Sequence, residues 1–355
     1  MNPHLAVEIH AGLGIITLNR PEKINALTPG MVSELGATLR AWRYAPEVNA
    51  VVLRGAGERG FCAGGDLTDF HQAQSGGDQG GFLDILVEQF ELAALVGTYP
   101  KPIMSIMSGL TLGAGLGMAG VASIRVVTPD ARLGMPETRI GYSPDAGGSL
   151  LLGRAPGRLG EHLAATGDTI GAGDAVEAGL ADFCIAAETQ EDLISTFADL
   201  ATLRAGEISI GLEVMHGTRP PAPAVARERA WMDHCYAAED LPAILTELEA
   251  APWPTARAAA ERIRRNSPLA VATALEVVRA ARDEDELRGS LEREHRAAAF
   301  LMDHPDVAEG IRARIVDKDD APRWDPASPE DLDRDLIINA LYAEEDDAHG
   351  EFELG

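Results

Sequence analysis

The sequence predicts an α/β fold whose later part is helical, and three observations carry that prediction. Short apolar runs rich in β-branched residues, Ala50 to Arg54 (AVVLR), Lys101 to Met107 (KPIMSIM) and Ile124 to Thr128 (IRVVT), read as extended, buried segments. Helical patterns lie between them. After about residue 187 the strand-like runs stop, and alanine, leucine, arginine and glutamate recur with a 3.6-residue period. No repeat of fixed period occurs. The expected organisation is a mixed core over residues 1–187, a helical region over 188–330 and a poorly ordered acidic tail over 331–355.

Residues 5–19 (LAVEIHAGLGIITLN) pattern as two strands around a glycine-bearing turn, a β-hairpin. Thr28-Pro29 starts a helix, with threonine as N-cap and proline at the first helical position; Val32, Leu35, Leu39 and Trp42 share one face. Residues 55–66 (GAGERGFCAGGD) are too glycine-rich for a helix, whereas residues 82–97 read as helical. In the later region Arg219 to Pro223, Pro242, Pro252-Trp253-Pro254 and Asn266-Ser267-Pro268 mark helix boundaries, the first of them as a loop between helices in preference to a hinge.

At 355 residues and 46% hydrophobic content the chain can bury a sizeable core without staples. Cys62, Cys184 and Cys235 are far apart and form no CxxC pair, which predicts free thiols and a reducing, cytoplasmic setting. The N-terminus lacks a basic stretch followed by an apolar run, and no eighteen consecutive residues are apolar, so neither export nor a membrane partner is expected. A net charge of -26 argues against nucleic acid, which is bound through clustered lysine and arginine. A phosphate-bearing ligand would need a local basic patch.

The best candidate for chemistry is the stretch from Gly134 to Gly148 (GMPETRIGYSPDAGG), which carries Glu137 and, eight residues on, Asp145. Gly141 and Pro144 oppose a continuous helix between them, so the segment should be a shaped loop. Two acids in one partly dry site have their pKa values pushed apart, leaving one as base or nucleophile and the other as acid. The plainer alternative is a turn in which Asp145 caps a following helix and Glu137 stands in water. Two small-residue loops, Phe61 to Asp66 (FCAGGD) and the start of Gly113 to Gly120 (GAGLGMAG), can present backbone N–H groups as an oxyanion hole or be ordinary tight turns. The second loop contains GLGMAG, a formal GxGxxG match, but the helix after it would be short and Asp130 sits beyond the next strand, which disfavours a dinucleotide site. There is no GxSxG elbow, no HExxH and no paired ligand spacing, so serine chemistry and a metal site are not expected; Cys62 reads as a core thiol.

Together these segments resemble the crotonase, or enoyl-CoA hydratase/isomerase, superfamily. Leu18 to Leu27 (LNRPEKINAL) looks like its N-terminal signature, Phe61 to Asp66 and Leu112 to Gly117 (LGAGLG) like its two oxyanion loops, and the Glu137 segment like its catalytic loop. Within the superfamily, Met135 to Asp145 with Gly147-Gly148, Asn266-Ser267-Pro268 and Ile315 to Trp324 (IVDKDDAPRW) are most similar to its short β-hydroxyacyl-CoA hydrolases. The resemblance spans about residues 5–330. It implies a spiral of β-β-α units with a helical C-terminal region, an acyl-CoA substrate, no separate cofactor and a homo-oligomer. It also implies roles: Glu137 and Asp145 as the catalytic carboxylates, the N–H groups of Gly65 and Ala114 as the oxyanion hole, and Arg20, Lys23, Ala63, Asp66 and Gln89 as substrate contacts.

Three departures stand out. Family hydrolases have three glycines where this chain reads Gly113-Ala114-Gly115, and a glutamate where it reads Gln89, with Glu88 and Glu91 close by. Where hydratases carry a second catalytic glutamate this chain has Gly117, a lack shared with the hydrolases. The expected activity is thioester hydrolysis, the alternatives being proton transfer at carbon or acyl-CoA binding without catalysis.

Overall fold

Parallel strands buried on both faces need nearly continuous apolar sequence, and the runs at 50–54, 101–107 and 124–128 supply it. The computed structural model describes residues 2–68, 79–225 and 228–342. They form two compact units, each assembled from separated stretches: one from Met1–Gly65, Glu91–Gly134 and Ile170–Ala224, the other from Asp66–Phe90, Met135–Thr169 and Val225–Gly355.

In the first unit β1 (Leu5–His10) and β2 (Leu13–Leu18) make the expected hairpin, in register from Leu5 opposite Leu18 to His10 opposite Leu13. Strands β3 (Ala50–Gly55), β4 (Ile103–Met107), β6 (Ile124–Val127) and β9 (Phe183–Ile185) continue the sheet in parallel, and β10 (Gly217–Thr218) closes it antiparallel to β9. A smaller sheet holds β5 (Leu110–Leu112), β7 (Arg132–Gly134) and β8 (Thr169–Gly171). The helix Pro29–Trp42 begins as expected, Thr28 Oγ1 accepting from the Met31 N–H at 3.3 Å, and buries Val32, Leu35, Leu39 and Trp42.

The composition break near residue 187 does not divide the units. Leu193, Ile194 and Phe197 of the helix Gln190–Leu200 and Ile208 and Leu212 of the helix Ala205–His216 pack on Ile15, Val52, Ile106 and Val126 of the large sheet, so these helices belong to the sheet unit. Amphipathic periodicity announces a helix but not the surface its apolar face covers.

The second unit is helical. Its centre is the helix Pro268–Glu284, capped by Ser267, whose Oγ accepts from the Ala270 N–H at 3.0 Å. It packs against Gly148–Gly153, Leu159–Thr166 and Leu287–Met302. Glu161, fully buried, takes a bidentate pair from Arg282 at 2.5 Å and a further bond from Arg158 at 2.8 Å, a charge-assisted tie between two helices. The acidic tail is ordered further than its composition suggests. Residues Arg334–Tyr342 form a helix with Ile337 and Leu341 buried, because apolar residues four apart give the segment one face to dock; the rest of the expected tail, from 343, lies outside the described residues.

One buried side chain organises the first small-residue loop. Asn25 holds a left-handed backbone at φ +54°, which asparagine tolerates better than most residues. Its Nδ2 donates to the carbonyls of Ala56, Gly60 and Phe61 at 3.0–3.1 Å, and its Oδ1 accepts from the Arg20 N–H at 2.8 Å. Neighbouring bonds, Ala63 N–H to Ile24 O at 2.9 Å and Leu27 N–H to Gly64 O at 2.8 Å, complete a clamp on residues 63–65. Replacing Asn25 with alanine leaves buried carbonyls unpaired and a strained φ, so Asn25→Ala should lose about 3 kcal/mol of stability in urea unfolding.

Candidate active site

The two loops proposed as oxyanion donors lie side by side within the sheet unit. Phe61 N–H donates to Ser108 O at 2.8 Å, Cys62 N–H to Leu110 O at 3.2 Å and Leu112 N–H to Cys62 O at 2.9 Å, zipping one loop to the other. Gly60 permits this approach, since a Cβ there would overlap the backbone of Leu110. A Cβ on Gly64 would stand 3.7 Å from Ala114 N, which measures how near the loops come. Among the described residues neither Gly65 N–H nor Ala114 N–H has an acceptor. Ala114 opens the helix Ala114–Gly120, so its N–H is one of the donors a helix leaves unpaired at its start.

The methyl group of Ala114 does not disturb this loop. Gly113 takes φ +53° and Gly115 faces Cys62, whose Sγ a Cβ would approach to 2.7 Å; Ala114 itself is helical. Glycine is therefore required at 113 and 115 but not between them. Cys62 is fully buried and its thiol, desolvated, is pushed up to about 12, as a core residue would be. Asp130 accepts from Thr128 Oγ1 at 2.6 Å, tying it to its own turn.

Of the other expected contacts in this unit, Lys23 is exposed, while Arg20 is half-buried, with Nη1 donating to Ala26 O at 3.3 Å and Nε 3.9 Å from Glu22. The N–H of Ala63 is taken by Ile24 O, so Ala63 contributes no backbone donor to a ligand. In the helical unit Asp66 is buried and accepts from the Thr68 N–H at 2.9 Å. On the helix Gln79–Gly97, Glu88 is exposed and Glu91 lies 3.5 Å from Arg40, whereas Gln89 is buried. The helix thus turns Gln89, not either glutamate, inward.

Glu137 and Asp145 both lie in the helical unit and both are buried, 7% and 5% exposed, which removes the alternative of Glu137 in water. Glu137 begins a short 3-10 turn, Glu137–Ile140, that ends at Gly141 with φ +77°. A Cβ on Gly141 would overlap the Asp306 carbonyl, so glycine lets the loop lie flat on that segment. Tyr142 N–H then donates to Glu137 O at 3.1 Å, and the chain turns through Asp145 into the helix Gly148–Gly153. Asp145 does not cap that helix with its side chain. The cap comes from Glu294, which no motif or spacing singled out: its carboxylate accepts from Gly147 N–H at 2.8 Å, Ser149 N–H at 2.9 Å and Ser149 Oγ at 2.5 Å.

Three buried acids therefore surround one turn, and their protonation is shared. Burial first, and then the charge of Asp145, holds Glu137 well above the usual carboxylate range. Burial and then Glu294 push Asp145 up to about 8, against the opposing influence of Tyr142. Glu294 rises to about 7 from burial, restrained by Ser149, Gly147 and Arg293. Glu137 Oε2 and the Tyr142 hydroxyl are buried with no hydrogen-bond partner among the described residues. Tyr142 thus influences Asp145 without a well-aligned bond to it. An unpartnered carboxylate oxygen in a dry site is available to a substrate or water. Among the described residues no cluster of His, Cys, Asp and Glu could hold a metal ion.

The chain matches the family model described as Enoyl-CoA hydratase/isomerase over residues 13–341. It belongs to that family. It is 32% identical over 339 residues to the "3-hydroxyisobutyryl-CoA hydrolase-like protein 1, mitochondrial" of Arabidopsis thaliana, covering 92% of this chain and 83% of that protein. It is 31% identical over 341 residues to the "3-hydroxyisobutyryl-CoA hydrolase, mitochondrial" of Gallus gallus, covering 93% and 86%. Among solved structures, a carnitinyl-CoA dehydratase from Mycobacterium thermoresistibile superposes with TM-score 0.88 at 35% identity over 97% of this chain and 98% of that one. An enoyl-CoA hydratase from Rhodobacter sphaeroides gives 0.89 at 35% over 96% and 98%. The fold is accordingly the crotonase fold, a mixed α/β architecture with a parallel-rich sheet and a helical C-terminal region.

The raised acids carry a stability cost with a definite sign. An acid whose folded pKa lies above its unfolded value keeps its proton only in the native state, so native stability falls as pH rises from about 4 towards the folded value. For Asp145, with the folded value near 8, Asp145→Asn should melt at a higher temperature than wild type at pH 8. The gap should close as the pH approaches about 4, which thermal melts across that range would measure.

Proposed function

We propose that this protein hydrolyses a short β-hydroxyacyl-CoA thioester, with 3-hydroxyisobutyryl-CoA the first substrate to test. The observation that carries the proposal is the buried pair Glu137 and Asp145 on one loop, with Glu137 Oε2 unpartnered. The hydrolase names of relatives about 31% identical over most of the chain support it.

On this reading Glu137, once it has given up its proton, acts on the thioester carbonyl carbon, either by direct attack, forming a mixed anhydride that water then opens, or by taking a proton from a water that attacks. The N–H groups of Gly65 and Ala114 stabilise the oxyanion, and the C–S bond breaks to release coenzyme A as its thiol. Asp145 holds the substrate hydroxyl or delivers the proton to the leaving sulfur. Lys23 and Arg20 supply positive charge for the nucleotide end of coenzyme A, Ala63 and Asp66 line its loop, and Gln89 contacts the acyl group. Coenzyme A arrives with the substrate, so the reaction calls for no separate cofactor.

The runner-up is hydration or isomerisation at carbon, favoured by the names of the two structures at 35% identity, a dehydratase and a hydratase. Against it stands Gly117: the helix Ala114–Gly120 contains no acid at all, so the second glutamate that the resemblance assigns to hydratases is missing.

Thiol release should be rapid from 3-hydroxyisobutyryl-CoA and 3-hydroxypropionyl-CoA, and slower by at least about tenfold from isobutyryl-CoA, which lacks the hydroxyl. Glu137→Gln should lose about a thousandfold or more and Asp145→Asn about a hundredfold. Loss of enoyl absorbance from crotonyl-CoA without thiol release would transfer the assignment to chemistry at carbon. A single turnover in oxygen-18 water that leaves label in the Glu137 carboxylate shows direct attack, the mixed anhydride having been opened at the glutamyl carbon; label in the product acid alone means that water added at the acyl carbon.

A further inference from the structure

The turn that carries Asp145 is not one its own residues would choose. Ala146 and Gly147 follow it with φ +52° and +90°, two left-handed residues in succession, and an alanine in that region costs about 1 kcal/mol. The helix that follows has no cap from its own segment. What fixes the turn reaches in from the helix Leu287–Met302: Glu294, 1% exposed, gathers both N–H groups and the hydroxyl on its far side. The three donors are divided between the two oxygens, so both must accept, which a carboxylate does and an amide, with one oxygen, does not. A buried carboxylate is the expensive choice, and it adds a negative charge where two other acids are already desolvated.

The surroundings aim that charge at the loop. Arg293, next to Glu294 on the same helix, is paired with Glu284 and lies 5.6 Å over the ring of Tyr342, so only part of its charge offsets Glu294. From the facing loop come Glu137, Tyr142 and Asp145, each made harder to ionise by Glu294. The neutral donors Gly147 and Ser149 complete the environment.

We infer that Glu294 is a positioning residue of this site: it fixes the turn that carries Asp145 and sets a negative charge against Asp145, Glu137 and Tyr142. The inference rests on Glu137 and Asp145 being the reacting pair. Glu294 need not touch the substrate. Its anchorage places the Asp145 carboxyl, and its charge keeps that carboxyl protonated to higher pH than burial alone would.

The test uses the full chain as wild type, Glu294→Gln and Ser149→Ala, with three readouts: carbon-13 NMR titration of aspartate carboxyls, the Asp145 signal being assigned by its loss in Asp145→Asn; the pH profile of kcat for thiol release; and thermal melting. Glu294→Gln keeps the shape, removes the charge and leaves one accepting oxygen in place of two. The Asp145 carboxyl should then titrate at lower pH than in wild type, the matching limb of the kcat profile should move the same way, and kcat should fall about tenfold or more with KM within about twofold. Ser149→Ala keeps the charge and removes one donor, so kcat should fall by a smaller factor and the Asp145 titration should move less. An unmoved Asp145 titration in folded Glu294→Gln overturns the inference, as does a lower melting temperature with kcat and its pH profile unchanged. If Glu294→Gln does not fold, unchanged kcat in Ser149→Ala overturns it. Wild type that releases no thiol would sink the hydrolase assignment alone, because the NMR titration still judges Glu294.

Discussion

Burying three carboxylates around one turn is the constraint on which the rest of the candidate site depends. Desolvation opposes ionisation at Glu137, Asp145 and Glu294 alike; the charge of Glu294 also opposes it at Asp145 and Glu137, and that of Asp145 at Glu137. Such a cluster persists only if the surrounding fold over-determines it. The helical unit does so: Ser267 and Asn266 start the helix Pro268–Glu284, Asn266 Nδ2 donates to Ala165 O at 2.9 Å, and Thr138 Oγ1 donates to Ala164 O at 3.0 Å. These bonds are local to the unit and hold the Glu137 loop against the helix Leu159–Thr166. The C-terminal helices are therefore part of the chemistry's support even where they carry no reacting group, and Glu294 shows that one of them contributes directly to the site's charge.

The sequence made the sheet strands, the hairpin and most helix starts readable because each has a local cause. Thr28, Ser267 and the prolines act within a turn of their own helix, and β-branched runs report burial on both faces. The limits were those of long-range partnership. Nothing in the sequence near 187 says that the helices after it cover the sheet, and nothing within the acid-rich segment after 331 says that Ile337 and Leu341 find a groove. Glu137 and Asp145 were visible because Pro144, Gly141 and the glycine pair isolate them in one loop. Glu294 was not, since it sits in an unremarkable charged helix, LEREHR, some 145 residues further on, and only packing turns it inward while Glu292 pairs with Arg288 at 2.9 Å.

The departures from the family pattern resolve into two kinds. Ala114 is accommodated for a geometric reason, because the left-handed conformation falls on Gly113 and the close contact on Gly115. Gln89 is a chemical change: the helix presents an amide at a buried position and leaves Glu88 and Glu91 outside or paired. An amide can donate to an acyl oxygen as well as accept, and it adds no further acid to a unit that already buries Glu137, Asp145 and Glu294 among others. A glutamate buried in its place would be opposed by the same kind of desolvation.

On the hydrolase assignment the site needs fewer reacting groups than hydration would. Hydration adds the oxygen of water to one carbon and a proton to its neighbour, and the second acid that the family resemblance assigns to that task is missing from the helix Ala114–Gly120. Hydrolysis needs one activated oxygen and a proton for a departing thiolate. Burial and the charge of Glu294 raise Asp145 to about 8, so its carboxyl keeps a proton at neutral pH that a departing thiolate can take. An aspartate at its ordinary value would be ionised at neutral pH and would have no proton to give. On the hydrolase assignment, the buried charge of Glu294 and the dryness of the loop are what keep that proton in place until the C–S bond breaks.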